Sequence, residues 1–212
     1  MSVEDRLLQR RERGALCDTL VAVGPDAPTM CEGWAAIDLA SHIVVRERDA
    51  WTAPVILCGR LNGIVQRLQI AERSSGFAKV VDRLRDGPPW LFRSTPQVVR
   101  LNTVEDWIHH EDVRRANGGA PRASDHQLDD VLWKGIGAAG KVAGLRLDDV
   151  GVEAVAPDGR RRSVKTGRSV VEIVGPPGEV LLYLTGRTQA AQVDLRGDAA
   201  AIERVQGSQL RL

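Results

Sequence analysis

The chain has 212 residues, 43% of them hydrophobic, 27% charged and only 4% aromatic, the profile of a soluble globular protein with room for one large domain or two small ones. Its 29 basic and 28 acidic side chains nearly cancel, which argues against binding to nucleic acid or to an anionic membrane surface. The charged stretch 1–14 is unlike a secretory signal, no apolar run approaches the ~20 residues of a membrane span, and Cys17, Cys31 and Cys58 lack the CxxC spacing of a cysteine zinc site or the pairing of a disulfide framework. A reduced, cytoplasmic protein is expected.

From Val3 to about Val23 the residues Leu7, Leu8, Ala15, Leu16, Leu20 and Val21 recur at helical spacing, and Gly24, Pro25 and Pro28 end the pattern. A second helix is predicted from Ala35 to about Ala50, with Leu39, Ile43 and Val44 as apolar contacts and Pro54 beyond its end. A third runs from about Leu61 to Arg73, and a shorter one from about Phe77 to Arg85 stops at Gly87, Pro88 and Pro89. The next extends from about Pro96 to Ala116, where Asn117, Gly118 and Gly119 supply the stop. Four or five helices before residue 120 call for a helical bundle.

After Pro121 the texture changes. Asp125 can cap a helix reaching about Val142. Val150 to Ala156 alternates as a half-buried strand, Pro157, Asp158 and Gly159 turn the chain into Arg160 to Lys165, and Val170 to Val174 reads as a more buried strand. A helix from Glu179 to Thr185, a short strand at Val193 to Leu195 and a final helix at Ala199 to Val205 complete the pattern. The expected fold is α+β: a metal-binding helical bundle over residues 1–120, then a smaller α+β domain over 121–212.

The chemistry concentrates on the helix ending at Ala116. Glu105 and His109 are four residues apart, so both point to one side. Asp112 and Asn102 extend the same polar stripe, with Leu101, Val104 and Ile108 on the adjoining core edge. A carboxylate or imidazole beside a buried seam needs a partner, and a metal ion is one such partner. His42, flanked by Leu39 and Ile43 on a second helix, would complete two nitrogen ligands and a carboxylate, a three-ligand zinc site with a fourth position open. The same donors suit nickel or ferrous iron. A hydrogen-bonded polar core is the alternative, and spacing alone does not say which of His109 and His110 belongs to the site. His110 and Glu111 read as solvated positions, with Glu111 and Arg115 as a surface ion pair.

Other signals are weaker. HExxH, Walker and GxSxG motifs are absent. Cys31 beside Trp34 reads as a small buried residue before a reactive thiol. Arg160, Arg161 and Arg162 read as a solvated hairpin edge, and Trp34, Trp51, Trp90, Trp107 and Trp133 as core.

Taken together, Cys31, Glu32, Gly33 and Trp34, then Asp38 to His42, then Asn102 to Glu105 and His109 to Arg115 resemble the actinobacterial metal-binding proteins related to mycothiol-dependent maleylpyruvate isomerase, within the wider DinB-like group. The resemblance covers nearly the whole chain. It implies a DinB-like four-helix bundle with a smaller C-terminal α+β domain, and a metal triad at His42, Glu105 and His109. It also implies zinc as the metal and mycothiol as a thiol cosubstrate adding to a small electrophile, in an isomerase or S-transferase reaction. Asp112 and Asn102 would then orient the ligands. Arg187, after Leu184, Thr185 and Gly186, resembles an Arg-bearing segment of the family's C-terminal domain and would hold a substrate carboxylate. Fold does not fix reaction: a metal- or ligand-binding protein without catalysis and a metal-dependent hydrolase are the competing readings. Asp112 as a fourth ligand would close the site and favour the former.

Overall fold

The computed structural model describes residues 3–48, 62–89, 95–143, 147 and 149–208. The chain divides into two compact units, Met1–Pro121 and Arg122–Leu212. Ala50, Trp51, Pro54, Cys58 and Trp90, which entered the sequence reading, lie outside the described residues.

The first unit contains α1 (Val3–Val23), α2 (Ala36–Arg48), α3 (Asn62–Arg73), α4 (Phe77–Asp86) and α5 (Pro96–Ala116). α1 lies along α5 and against α4, while α2 packs on α3 and α4. Leu16, Leu20, Leu39, Ile43, Leu84 and Val113 meet in the shared core. On α1 the buried stripe carries Leu8, Leu16, Cys17 and Leu20 together with Glu12 and Arg13, whereas Leu7 and Val21, expected on the apolar face, are exposed. The buried charge is compensated: Arg13 pairs with Asp106 of α5 at 3.0 Å and with Glu47 of α2. Truncating one member of such a group leaves its partners buried without a counter-ion.

α5 starts where Thr95 accepts a hydrogen bond from Val98 N and Pro96 takes the first turn, and it ends at Asn117 followed by Gly118 in the left-handed region. Between these ends it is buried over most of its circumference. His110 and Glu111, expected in solvent, are inside: His110 Nε2 lies 2.8 Å from Thr19 Oγ1, and Glu111 is fully buried and takes Arg114 and Arg115 at 2.7 Å each. The supposed surface pair is therefore internal. Leu101, placed on the core edge by its spacing, is instead half exposed.

In the second unit Asp125 caps α6 (His126–Ala143) by accepting from Gln127 N and Leu128 N. β1 (Val150–Val155), β2 (Arg161–Lys165), β3 (Ser169–Val174) and β4 (Asp194–Arg196) form a sheet in the order β2-β1-β3-β4. β1 is antiparallel to β2 and parallel to β3. The short link from β2 to β3 crosses the start of β1 at Gly167, where any Cβ would strike Gly151 N and Val150 C. β3 alternates, burying Val171 and Ile173 while Val170 is exposed, so it is less buried than its apolar run predicts. α7 (Pro177–Leu184) is buried on every side and packs on α6, and α8 (Ala199–Gly207) covers β3 and β1. The arginines of the hairpin are engaged: Arg160 pairs with Asp130 and Asp158, Arg161 with Glu153 and Glu172, and the guanidinium groups of Arg160 and Arg162 lie 5.4 and 5.7 Å from the centre of the Trp133 ring. No helix among the described residues is long and apolar enough to cross a membrane.

Candidate metal centre

His42 follows the buried Leu39 and precedes the buried Ile43 on α2, which leaves its ring half-buried at the rim of the core. Trp34, from the loop before α2, lies against it with ring centroids 4.9 Å apart. Gln69 of α3 reaches across, its carboxamide 2.9 Å from His42 Nδ1. Rotation about the terminal bond exchanges the carboxamide oxygen and nitrogen. With the oxygen inward it accepts the Nδ1 proton, and Nε2 carries the lone pair that a metal would need.

His109 of α5 stands 5.7 Å from the His42 ring, centroid to centroid, at an edge-on 77°. Its two nitrogens face two carboxylates. Nε2 lies 3.5 Å from Glu105 Oε2, and Nδ1 lies 3.0 Å from Asp112 Oδ2. Asp112 is fully buried and Glu105 is half-buried. So long as Asp112 bonds Nδ1, it cannot complete the coordination of an ion held at Nε2. It instead orients the ring, as carboxylates behind metal-binding histidines do.

The local electrostatics favour a cation. Burial alone would push the His109 imidazole down, but its hydrogen bonds to Asp112, Cys31 and Glu105 outweigh it and hold the ring well above the usual histidine range. Burial would likewise push Glu105 up, yet Arg46 and His109 bring it down to about 2, so it is an ionised carboxylate. Arg46 Nε is 3.9 Å from Glu105 Oε2, and its Nη2 is 4.0 Å from Glu47, which leads back to Arg13 and Asp106. A chain of alternating charge thus runs from the core to Glu105. Two imidazoles, an ionised carboxylate and a potential that already draws a proton onto His109 fit a divalent ion, which would compete with that proton.

Cys31, which its sequence context presents as a small buried residue, is instead half-buried and close to His109 and Asp112. Among the described residues, the group that brings three potential ligand atoms within 4.8 Å of one another is Cys31, His109 and Asp112. Cys31 Sγ donates to Asp112 Oδ2 at 3.3 Å across 81 positions of sequence. Glu105 stands on the Nε2 side of His109, and the His42 ring lies 5.7 Å from the His109 ring, centroid to centroid. Asn102 is buried one turn before Glu105. Arg187 belongs to the second unit, where its Nη1 donates to Thr185 O at 2.6 Å at the end of α7.

No family model matches the chain, and no curated protein matches it in sequence. Solved structures do match. Crystal structures of mycothiol-dependent maleylpyruvate isomerase and of a histidine-to-alanine variant of it are each similar over 92% of this chain and 93% of theirs, with a TM-score of 0.60 and 16% identity. At that identity the likeness concerns architecture, and the architecture agrees with the one implied by the sequence resemblance. The chain has the α+β fold of mycothiol-dependent maleylpyruvate isomerase.

Proposed function

We propose that the protein is a metal-dependent enzyme of the isomerase or S-transferase kind, which uses a low-molecular-weight thiol such as mycothiol to attack a small electrophile. His42, Glu105 and His109 would hold a divalent ion, with zinc the first expectation. The observation that carries this reading is His109 placed between Glu105 at Nε2 and Asp112 at Nδ1, with the His42 ring 5.7 Å away. When bound, such an ion supplies a Lewis acid that lowers the pKa of a coordinated thiol, so that no protein nucleophile is needed.

The chain's own residues do the positioning. Asp112 accepts the Nδ1 proton of His109 and fixes the tautomer, and Gln69, whose Nε2 lies 2.9 Å from His42 Nδ1, would do the same for His42 with its carboxamide turned. Glu105, ionised and half-buried, contributes charge on the accessible side. Trp34 walls one face of His42 and limits water there. Three protein ligands leave a position for an external thiol, which favours catalysis over a merely structural ion.

Metal analysis of the purified protein, followed by calorimetric titration of metal-loaded and metal-free forms with mycothiol, tests the proposal. With Cys31 alkylated so that its sulfur holds no metal, stoichiometric metal that is lost in His42→Ala and Glu105→Ala, and thiol binding confined to the loaded form, are the expected results. Full metal content in both alkylated variants would overturn the ligand assignment, and loaded protein that binds no thiol would overturn the reaction class.

A further inference from the structure

The cysteine count argues against a cysteine metal site, but the surroundings of Cys31 point the other way. The loop that carries it, residues 24–35, is fastened to α5 and to itself. Met30 N donates to Asp112 O at 3.1 Å, and Asn117 Nδ2 donates to Pro28 O at 3.0 Å. Thr29 Oγ1 accepts from Cys31 N at 3.2 Å and donates to Trp34 O at 2.8 Å, while Pro28 and Ala35 pair as an antiparallel bridge. The sulfur is thereby delivered to a fixed place, 3.3 Å from Asp112 Oδ2, which is itself 3.0 Å from His109 Nδ1.

Zinc held at about 2.0 Å by nitrogen and oxygen and about 2.3 Å by sulfur sets neighbouring ligand atoms roughly 3.3–3.6 Å apart. The separations of Asp112 Oδ2 from Cys31 Sγ and from His109 Nδ1 need only a few tenths of an ångström of adjustment to match. Asp112 and His109 are buried, which excludes competing water, and Cys31 is half-buried, which gives access. A sulfur, an imidazole nitrogen and a carboxylate oxygen make a donor set that selects thiophilic divalent ions.

We propose that Cys31 Sγ, His109 Nδ1 and Asp112 Oδ2 form a second seat for a thiophilic divalent ion, on the side of the His109 ring away from Glu105. It shares His109 with the centre of the proposed function and uses neither His42 nor Glu105. On binding, the Cys31 thiol and His109 Nδ1 each release a proton to solvent, and Nε2 keeps its N–H toward Glu105. The two seats exclude each other, because an ion on each would strip both protons from one imidazole. Reduced Cys31 therefore competes with the His42 side for the ion, and a blocked Cys31 hands the ion over.

The test is cobalt substitution of the metal-free full chain, read by absorption spectroscopy. A sulfur-to-cobalt charge-transfer band is expected in the near ultraviolet, lost in Cys31→Ser and after carboxamidomethylation of Cys31 in the native protein, and kept in His42→Ala. The alkylated wild-type chain answers the case in which the serine variant fails to fold. No band in the wild type, or a band that survives both treatments, overturns the proposal. A band lost in His42→Ala also overturns it, since Cys31 would then belong to the same centre as His42. Should the band behave as expected while His42→Ala and Glu105→Ala retain all their metal even after Cys31 is alkylated, the proposed function fails and this seat stands.

Discussion

Asp112 Oδ2 lies 3.0 Å from His109 Nδ1, three residues on along the same helix and wholly inside the bundle. The pair makes Asp112 the residue on which the orientation of His109 depends. Asp112→Asn keeps the shape but removes the charge that draws the Nδ1 proton. Metal affinity, measured by competition with a chelator, is expected to fall about 10–100-fold. Unchanged affinity in a folded variant would separate Asp112 from the centre.

Gln69 makes the corresponding contact with His42 from a different helix. Gln69→Leu preserves volume and removes the polar contact that helps to orient the His42 ring. Metal binding should weaken about tenfold or more with little loss of thermal stability. A large drop in melting temperature with unaltered metal affinity would instead make Gln69 a packing residue.

Arg13 and Arg85 separate buried from exposed electrostatics within one unit. Arg13 is nearly sealed between Asp106 and Glu47, and its removal takes away the cation that bonds Asp106 and leaves Glu47 with Arg46 at 4.0 Å. Arg13→Met is expected to cost about 3–5 kcal/mol in urea unfolding. Arg85→Ala breaks an exposed pair with Asp18 and should cost ~0–1 kcal/mol. Equal costs would mean that the buried network contributes nothing beyond packing.

Cys17 gives the fold an alkaline weakness. Burial pushes its thiol up from 9.0 to about 12. Above pH 9 the unfolded chain releases this proton while the native chain keeps it, so the native state binds more protons and stability falls as pH rises. The loss approaches about 1.4 kcal/mol per pH unit between the two values. Cys17→Ala should flatten urea midpoints measured from pH 8.5 upward, at roughly the level of one proton. Identical slopes for the two proteins would show that the thiol ionises in place.

The helices were legible because their ends carry strong local signals: Pro96, Asn117 with Gly118, and Asp125 are all seen at starts, stops and caps, whereas the Thr95 cap emerges only from the structure. The approach of Glu105 to His109, 3.5 Å apart, was legible from their four-residue spacing on one helix. Contacts made across the bundle were not. Cys31 reaches Asp112 over 81 residues and Gln69 reaches His42 over 27, and neither distance has a sequence period. His110 and Glu111 were misjudged because periodicity assigns polar residues to the outside, whereas α5 is enclosed on most sides and buries them with partners of their own. Arg13 was hidden likewise, since a charge on an amphipathic helix reads as solvated until its counterions on two other helices are located.

The hydrogen bond from Met30 N to Asp112 O ties the Cys31 loop to the backbone of the helix bearing Glu105 and His109. That single amide is consequently a natural probe of the centre. Its proton can exchange with solvent only when loop and helix part, so its exchange rate should slow when an ion enters and quicken when the ion is withdrawn. Site-resolved hydrogen exchange at Met30 would follow occupancy without a chromophore or a substrate.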